Sequence, residues 1–375
     1  MPDESELVRQ IVDVCLNVEK GENIWIHSWD HTVDLASEVA LACRRRGASP
    51  FITLTSEDYW MSSLIETPTE LLGRIPDHQV AALKRSNAFI FMLGPRSIID
   101  WKRIPAEKQE FADVWYLGSN KFMEGWRKIA REHSIRMLGI EYCLVTPERA
   151  KALSLDYDKW GQVILDGCTS DQRQITEKAA SLLSFIERGK EVSIETQFGT
   201  KINLRLDGHK PSAGDSIVTD KDAAQGIVKF LPSGFVEVAI DEDSAEGTIV
   251  YDVPILVSGG RKIVGLTLTF QQGKIVKYCA KSGIEGFDDY MKSTHGDFDK
   301  LGFFGIGLNP GLKSGYTQDD KVSGAVTVGI GGNEDKGGKN RTLGNKHWWA
   351  SMTKATLTID DNILLKQGKE LYLKR

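Results

Sequence analysis

Along the first half of the chain, apolar residues recur at helical spacing, and short continuous apolar runs interrupt them. Leu7, Ile11, Val14, Cys15 and Val18 share one face of a helix over 4–18, which Lys20-Gly21 ends. Asn23 to Trp29 (NIWIHSW) reads as a strand, Thr32 to Arg46 as an amphipathic helix closed by Gly47, and Pro50 to Thr55 as the next strand. The pattern repeats. Ala88 to Leu93 and Ile135 to Ile140 are strands, helices end near Arg85 and His133, and 147 to about 190 is mostly helical. Strand, helix, strand predicts an α/β domain with a mainly parallel sheet and right-handed crossovers.

After Lys190 the period changes to two. Glu191–Thr196, Lys201–Leu206, Ile217-Val218, Val236–Ile240, Thr248–Asp252, Lys262–Gln271 and Ile275–Ala280 read as strands, with Glu285–Ser293 a helix. The expected architecture is therefore an α/β scaffold domain over 1–190 and a β-rich α+β domain over 191–375 that carries the pocket. A length of 375 residues suffices for two cores.

Residues 231–252 (LPSGFVEVAIDEDSAEGTIVYD) read as a hairpin with Asp241, Glu242, Asp243 and Glu246 at its tip. From pattern alone, a solvated turn is the preferred account of that cluster. His27, Trp29, Asp30 and His31 gather at the end of a strand, where open α/β sheets bind ligands. Packing against the next helix and capping of it are the preferred account of them. Residues 321–345 are glycine-rich, but no GxGxxG or Walker pattern occurs, so no nucleotide site is expected.

Net charge is −5, which favours neither nucleic acid nor an anionic membrane as partner. No apolar run approaches a membrane span, and the polar start MPDESELVRQ is not a signal peptide. Five scattered cysteines without CxxC spacing fit buried free thiols in a reducing cytoplasm. Cys143 lacks a neighbouring base and is a poor nucleophile candidate.

The 231–252 segment resembles the signature of the M29 (aminopeptidase T-like) metallo-aminopeptidases, and more so their 2,5-dihydroxypyridine 5,6-dioxygenase-like branch. Looser likenesses at 199–208, 300–310 and 329–347 extend it over most of the chain. The resemblance implies an N-terminal α/β scaffold, a homodimer and a metal site. Carried across, the aminopeptidase ligands fall on Phe235, Phe303, the neighbourhood of Ala325, His347 and Trp349. His347 alone keeps its type. The dioxygenase triad falls on Phe303, His347 and Trp349 and is broken in the same way. His295, Asp297 and Asp299 are weak candidates for substitute ligands.

Aromatic faces therefore replace ions. Phe235, Phe303, Trp348 and Trp349 are expected to hold a flat substrate. His347 is the expected general base, with Glu246 or Asp243 as its carboxylate partner. The Gly331 and Gly332 amides are expected to stabilise the oxyanion. The reading is a cytoplasmic, metal-independent hydrolase. It would act on an amide, imine or ring C–N bond of a small aromatic or N-heterocyclic compound, a role in aromatic compound catabolism, without a cofactor. The alternatives are an M29-type aminopeptidase or ring-cleaving dioxygenase holding one divalent metal, Fe or Zn, and a non-catalytic ligand-binding protein.

Overall fold

A computed structural model describes residues 4–111, 121–257, 260–343 and 346–372, so the end of the glycine-rich stretch at 344–345 lies outside it. The chain forms two units that do not follow one cut near 190. The first comprises Met1–Ala152, Asp156–Gln172 and Ser216–Pro232, and the second the remainder.

In the first unit, strands Asn23–Trp29, Ser49–Thr55, Ala88–Met92 and Arg136–Ile140 pair in parallel as the pattern predicts. The helix Val33–Arg45 forms the first crossover. A fifth strand, Val228–Leu231, returns from far along the chain and pairs in parallel with Arg136–Ile140. Its short run VKFL, half-buried over most of its length, gave no clear signal. Ile217-Val218, expected as a strand, is irregular, although the Val218 amide donates to the Cys15 carbonyl.

The second unit is a sandwich. Among the described residues, eight antiparallel strands form one sheet, in the order Lys274–Cys279, Thr267–Gln271, Glu246–Val250, Lys201–Arg205, Glu191–Glu195, Thr356–Ile359, Asn362–Lys366 and Lys369–Glu370. The other sheet runs His347–Met352, Val326–Gly331, Leu301–Gly307, Phe235–Ala239 and Ser212–Gly214, again antiparallel. The core lies between them. Val236, Val238, Phe304, Ile306, Val328 and Ile330 of the smaller sheet join Ile194, Ile202 and Leu268 of the larger, all buried. Helix Gln172–Ile186 adds Ile175, Ala179, Leu182 and Ile186 to the same core.

The expected 231–252 hairpin does not form. Phe235–Ala239 belongs to the smaller sheet and Glu246–Val250 to the larger, so the acidic turn carries the chain from one layer to the other. Alternation reports which face a side chain takes, not which strand it pairs with. The thiols also differ from expectation at one point: Cys15, Cys43, Cys143 and Cys168 are buried, whereas Cys279 is exposed.

Candidate functional site

The smaller sheet has two unlike faces. On the face away from the core, the pleat aligns Phe235 and Glu237 with Phe303, Gly305, Thr327, His347 and Trp349. These residues surround a cavity of about 200 Å³, completed by Asp320 and Lys336. Its large side chains pair with glycine: Phe235 with Gly214, Glu237 with Gly305, Phe303 and Trp349 with Gly329, and His347 with Gly331. The glycines are needed for space. A Cβ on Gly329 would lie 2.1 Å from the Phe303 ring, and one on Gly214 2.1 Å from the Phe235 ring. An aromatic ring laid over a cross-strand glycine covers backbone that would otherwise be bare.

Phe303 is the floor of the cavity. The His347 imidazole meets it edge-on, with centroids 5.8 Å apart at 87°. The Lys336 ammonium lies 4.8 Å from the centroid of the same ring, within cation–π range. Lys336 Nζ also pairs with Glu237 at 3.2 Å and Asp335 at 3.0 Å. Burial pushes the Glu237 carboxyl above the usual carboxylate range, with Lys336 holding that rise back. Burial opposes the Lys336 charge too, but Glu237 and Asp335 outweigh it and keep the ammonium above its ordinary value.

The loop bearing Lys336 is fixed by buried amides. Asn333 Nδ2 donates to Glu242 Oε1 (3.1 Å) and the Gly302 carbonyl (2.8 Å). The Asn340 amide N–H donates to Asn333 Oδ1 (2.9 Å), and Asn340 Nδ2 donates to the Leu301 and Gly331 carbonyls. Glu242, read from sequence as one of the tip carboxylates, is thus a buried latch.

Of the residues expected at the site, Phe235, Phe303, His347 and Trp349 line one cavity. Trp348 does not. It points to the opposite face, edge-on to Tyr251 (5.8 Å) and Phe287 (5.0 Å), as a period of two requires for a neighbour of Trp349. The hairpin carboxylates are also elsewhere. Glu246 is exposed and accepts from the Gln272 amide (2.7 Å), and Asp243 is exposed and bound to Lys300 (3.1 Å). The Gly331 and Gly332 amides already donate to the Lys300 and Lys346 carbonyls, which removes them as oxyanion donors. Thr327, two residues beyond Ala325, also lines the cavity. His295 is exposed, and Asp297 Oδ2 accepts from the Arg341 amide. Burial pushes the Cys143 thiol up, which disfavours the thiolate that a nucleophile needs.

Sequence reasoning missed Glu237 and Lys336. Glu237 was within reach, two residues after Phe235 on an alternating strand. Lys336 had no signal, because a loop of DKGGKN places its side chain through tertiary bonds.

Residues 4–304 match the profile of the Peptidase_M29 family, described as thermophilic metalloprotease (M29). No curated protein matches. Among solved structures, AmpT from Thermus thermophilus aligns with TM-score 0.68 and 17% identity, covering 98% of both chains. The 2,5-dihydroxypyridine dioxygenase of Pseudomonas putida KT2440 aligns with TM-score 0.61 and 15% identity, covering 98% of this chain and 96% of that one. A metalloprotease family implies a metal ion, and the cavity's donors do not fit one. Glu237 is engaged by an ammonium that would repel a dication, and three walls are aromatic rings. Among the described residues, no three His, Cys, Asp or Glu side chains are placed to hold a metal. The match spans most of the chain all the same, and on it this protein belongs to the M29 family.

Proposed function

We propose that the chain is a hydrolase whose cavity cleaves an amide, imine or ring C–N bond of a single-ring aromatic or N-heterocyclic compound, with the Lys336 ammonium standing where its relatives use metal. Membership of a metalloprotease family supports the hydrolase part of this reading. The observation that carries the rest is the pair of groups on Phe303: an imidazole edge-on to the ring and a part-buried, carboxylate-held ammonium within cation–π range of it. Size supports one ring. A dry cavity of about 150 Å³ holds benzene, and this one measures about 200 Å³.

For an amide, His347 takes a proton from water as the oxygen forms its bond to the carbonyl carbon. The negative charge on the carbonyl oxygen faces Lys336, whose positive charge is fixed before the reaction begins. Collapse breaks the C–N bond, and His347 returns the proton to the leaving nitrogen. Lys336 takes over the task first given to the glycine amides, and Glu237 positions it. A small-molecule substrate, cytoplasmic location and homodimer belong to the same proposal.

The test is turnover of a panel of aromatic amides, nicotinamide and aminoacyl anilides among them, by protein freed of metal with a chelator. His347→Ala should lower turnover by about a hundredfold or more with binding intact. Lys336→Met should do the same. Turnover that needs an added dication would overturn the reading in favour of a metalloenzyme. Saturable binding with no product from any compound would make the protein a binder.

A further inference from the structure

The α/β unit contains a larger cavity that the reaction above does not use. It measures about 490 Å³, within the range of about 300–1,000 Å³ typical of small-molecule sites. One face of the parallel sheet forms its base. Trp25, His27 and Trp29 alternate along the first strand, and register places Phe51, Thr53 and Thr55 beside them. Parallel strands covered by helices normally present aliphatic side chains on both faces. Here one face carries two indoles, an imidazole and two threonines, and Phe51 on the edge strand is half exposed. Helices Glu57–Glu66 and Asp77–Lys84 supply Tyr59, Trp60, Ser63, Gln79 and Ala82 to the walls, and Trp126 closes one side.

The indole edges at the base are anchored, and the two rings are almost wholly packed against their neighbours. Trp25 Nε1 donates to Thr53 Oγ1 (2.8 Å), and Trp29 Nε1 donates to the Met92 carbonyl (3.1 Å). Trp60 stands edge-on to Trp29 at 5.8 Å, and Trp126 is tilted 47° to Trp25 at 5.3 Å. The slot is thus walled by rings whose orientation is fixed. Thr55, Ser63 and Gln79 bring side-chain polar groups that make no hydrogen bond among the described residues. His78 is a second imidazole in the lining, and no Asp, Glu, Lys or Arg joins it. Burial also holds His27 neutral, its pKa pushed down to about 4.

We infer that this cavity is a second ligand site, which takes a neutral, flat, two-ring heteroaromatic molecule laid against the ring-lined wall and hydrogen-bonded through its heteroatom. The ring walls supply the stacking energy and the absence of charge selects against ions. A fused bicycle suits its volume, as one ring suits the smaller cavity.

Quinoline is the probe, titrated by calorimetry into the full chain, with naphthalene-2-carboxylate as its charged counterpart. One saturable site for quinoline and at least tenfold weaker binding of the carboxylate are expected. Ala82→Phe fills the cavity without removing a core group and should weaken quinoline at least tenfold while melting no lower and keeping turnover at His347. Should that variant fail to fold, Ser63→Phe fills the same space from the other helix. No saturable quinoline binding up to its solubility, equal binding of the carboxylate, or equal binding by the filled variant would overturn the inference. So would a filled variant that loses self-association rather than quinoline, since a second copy would then be the occupant. Loss of turnover in His347→Ala bears on the smaller cavity alone, so the two readings fail separately.

Discussion

The two faces of the five-stranded antiparallel sheet share a backbone and differ in everything else. The inner face carries Val236, Val238, Phe304, Ile306, Val328 and Ile330, apolar at every position and buried. The outer face alternates glycine with rings and ions. Glycine in a strand weakens it and marks close approach to something else. Here that something is the strand's own neighbour, a ring lying over the bare backbone. One face holds the unit together, and the other keeps a shaped space that burial alone would have filled.

Substitutions on the two faces should therefore separate stability from function. Phe304→Ala, on the inner face, should cost about 3–5 kcal/mol in denaturant unfolding, with activity lost only as the protein unfolds. Lys336→Met should cost about 1–3 kcal/mol near neutral pH, because it leaves the part-buried Glu237 charge without its partner. The pH dependence has a definite sign. Burial already raises the Glu237 carboxyl, and without Lys336 it rises further. The folded variant then binds a proton that the unfolded chain has released, so its stability falls as pH rises from the ordinary carboxylate range toward neutrality. Unfolding at pH 5 and 7 measures this, and adding Glu237→Gln should remove the slope.

Gly329→Val should cost about 1–3 kcal/mol, since the new side chain must displace the Phe303 ring. Turnover should fall more than stability does. The smallest effect on folding belongs to Trp349→Ala, under about 1 kcal/mol for a side chain at the exposed mouth, with weaker ligand binding. Trp348→Ala, one residue away on the other face, should reverse the pattern and lower the melting temperature while leaving affinity near normal.

That reversal also shows what the sequence could and could not disclose. The first four strands of the α/β unit and the helix between the first two follow from local pattern, and Trp25, His27 and Trp29 share a face by counting in twos. The same count excludes Trp348 from a cavity that contains His347 and Trp349. Pairing was not legible. Phe235–Ala239 and Glu246–Val250 are close in the chain and separate in the fold, because a turn of given length serves a hairpin and a crossing between layers alike. Glu242 and Lys336 lay beyond reach for a related reason. Their roles come from Asn333 and Asn340, whose bonds span the loop, and composition carries no trace of such bonds.

The strand Val228–Leu231 has a practical consequence. It completes the parallel sheet from a segment that lies beyond residue 190, between two stretches of the other unit. A fragment ending at 190 would lack it and leave Arg136–Ile140 as an unprotected sheet edge, open to pairing with another molecule. Expression of the halves as separate fragments should give aggregates. Circularly permuted or intact chains are the better starting point for dissecting either cavity.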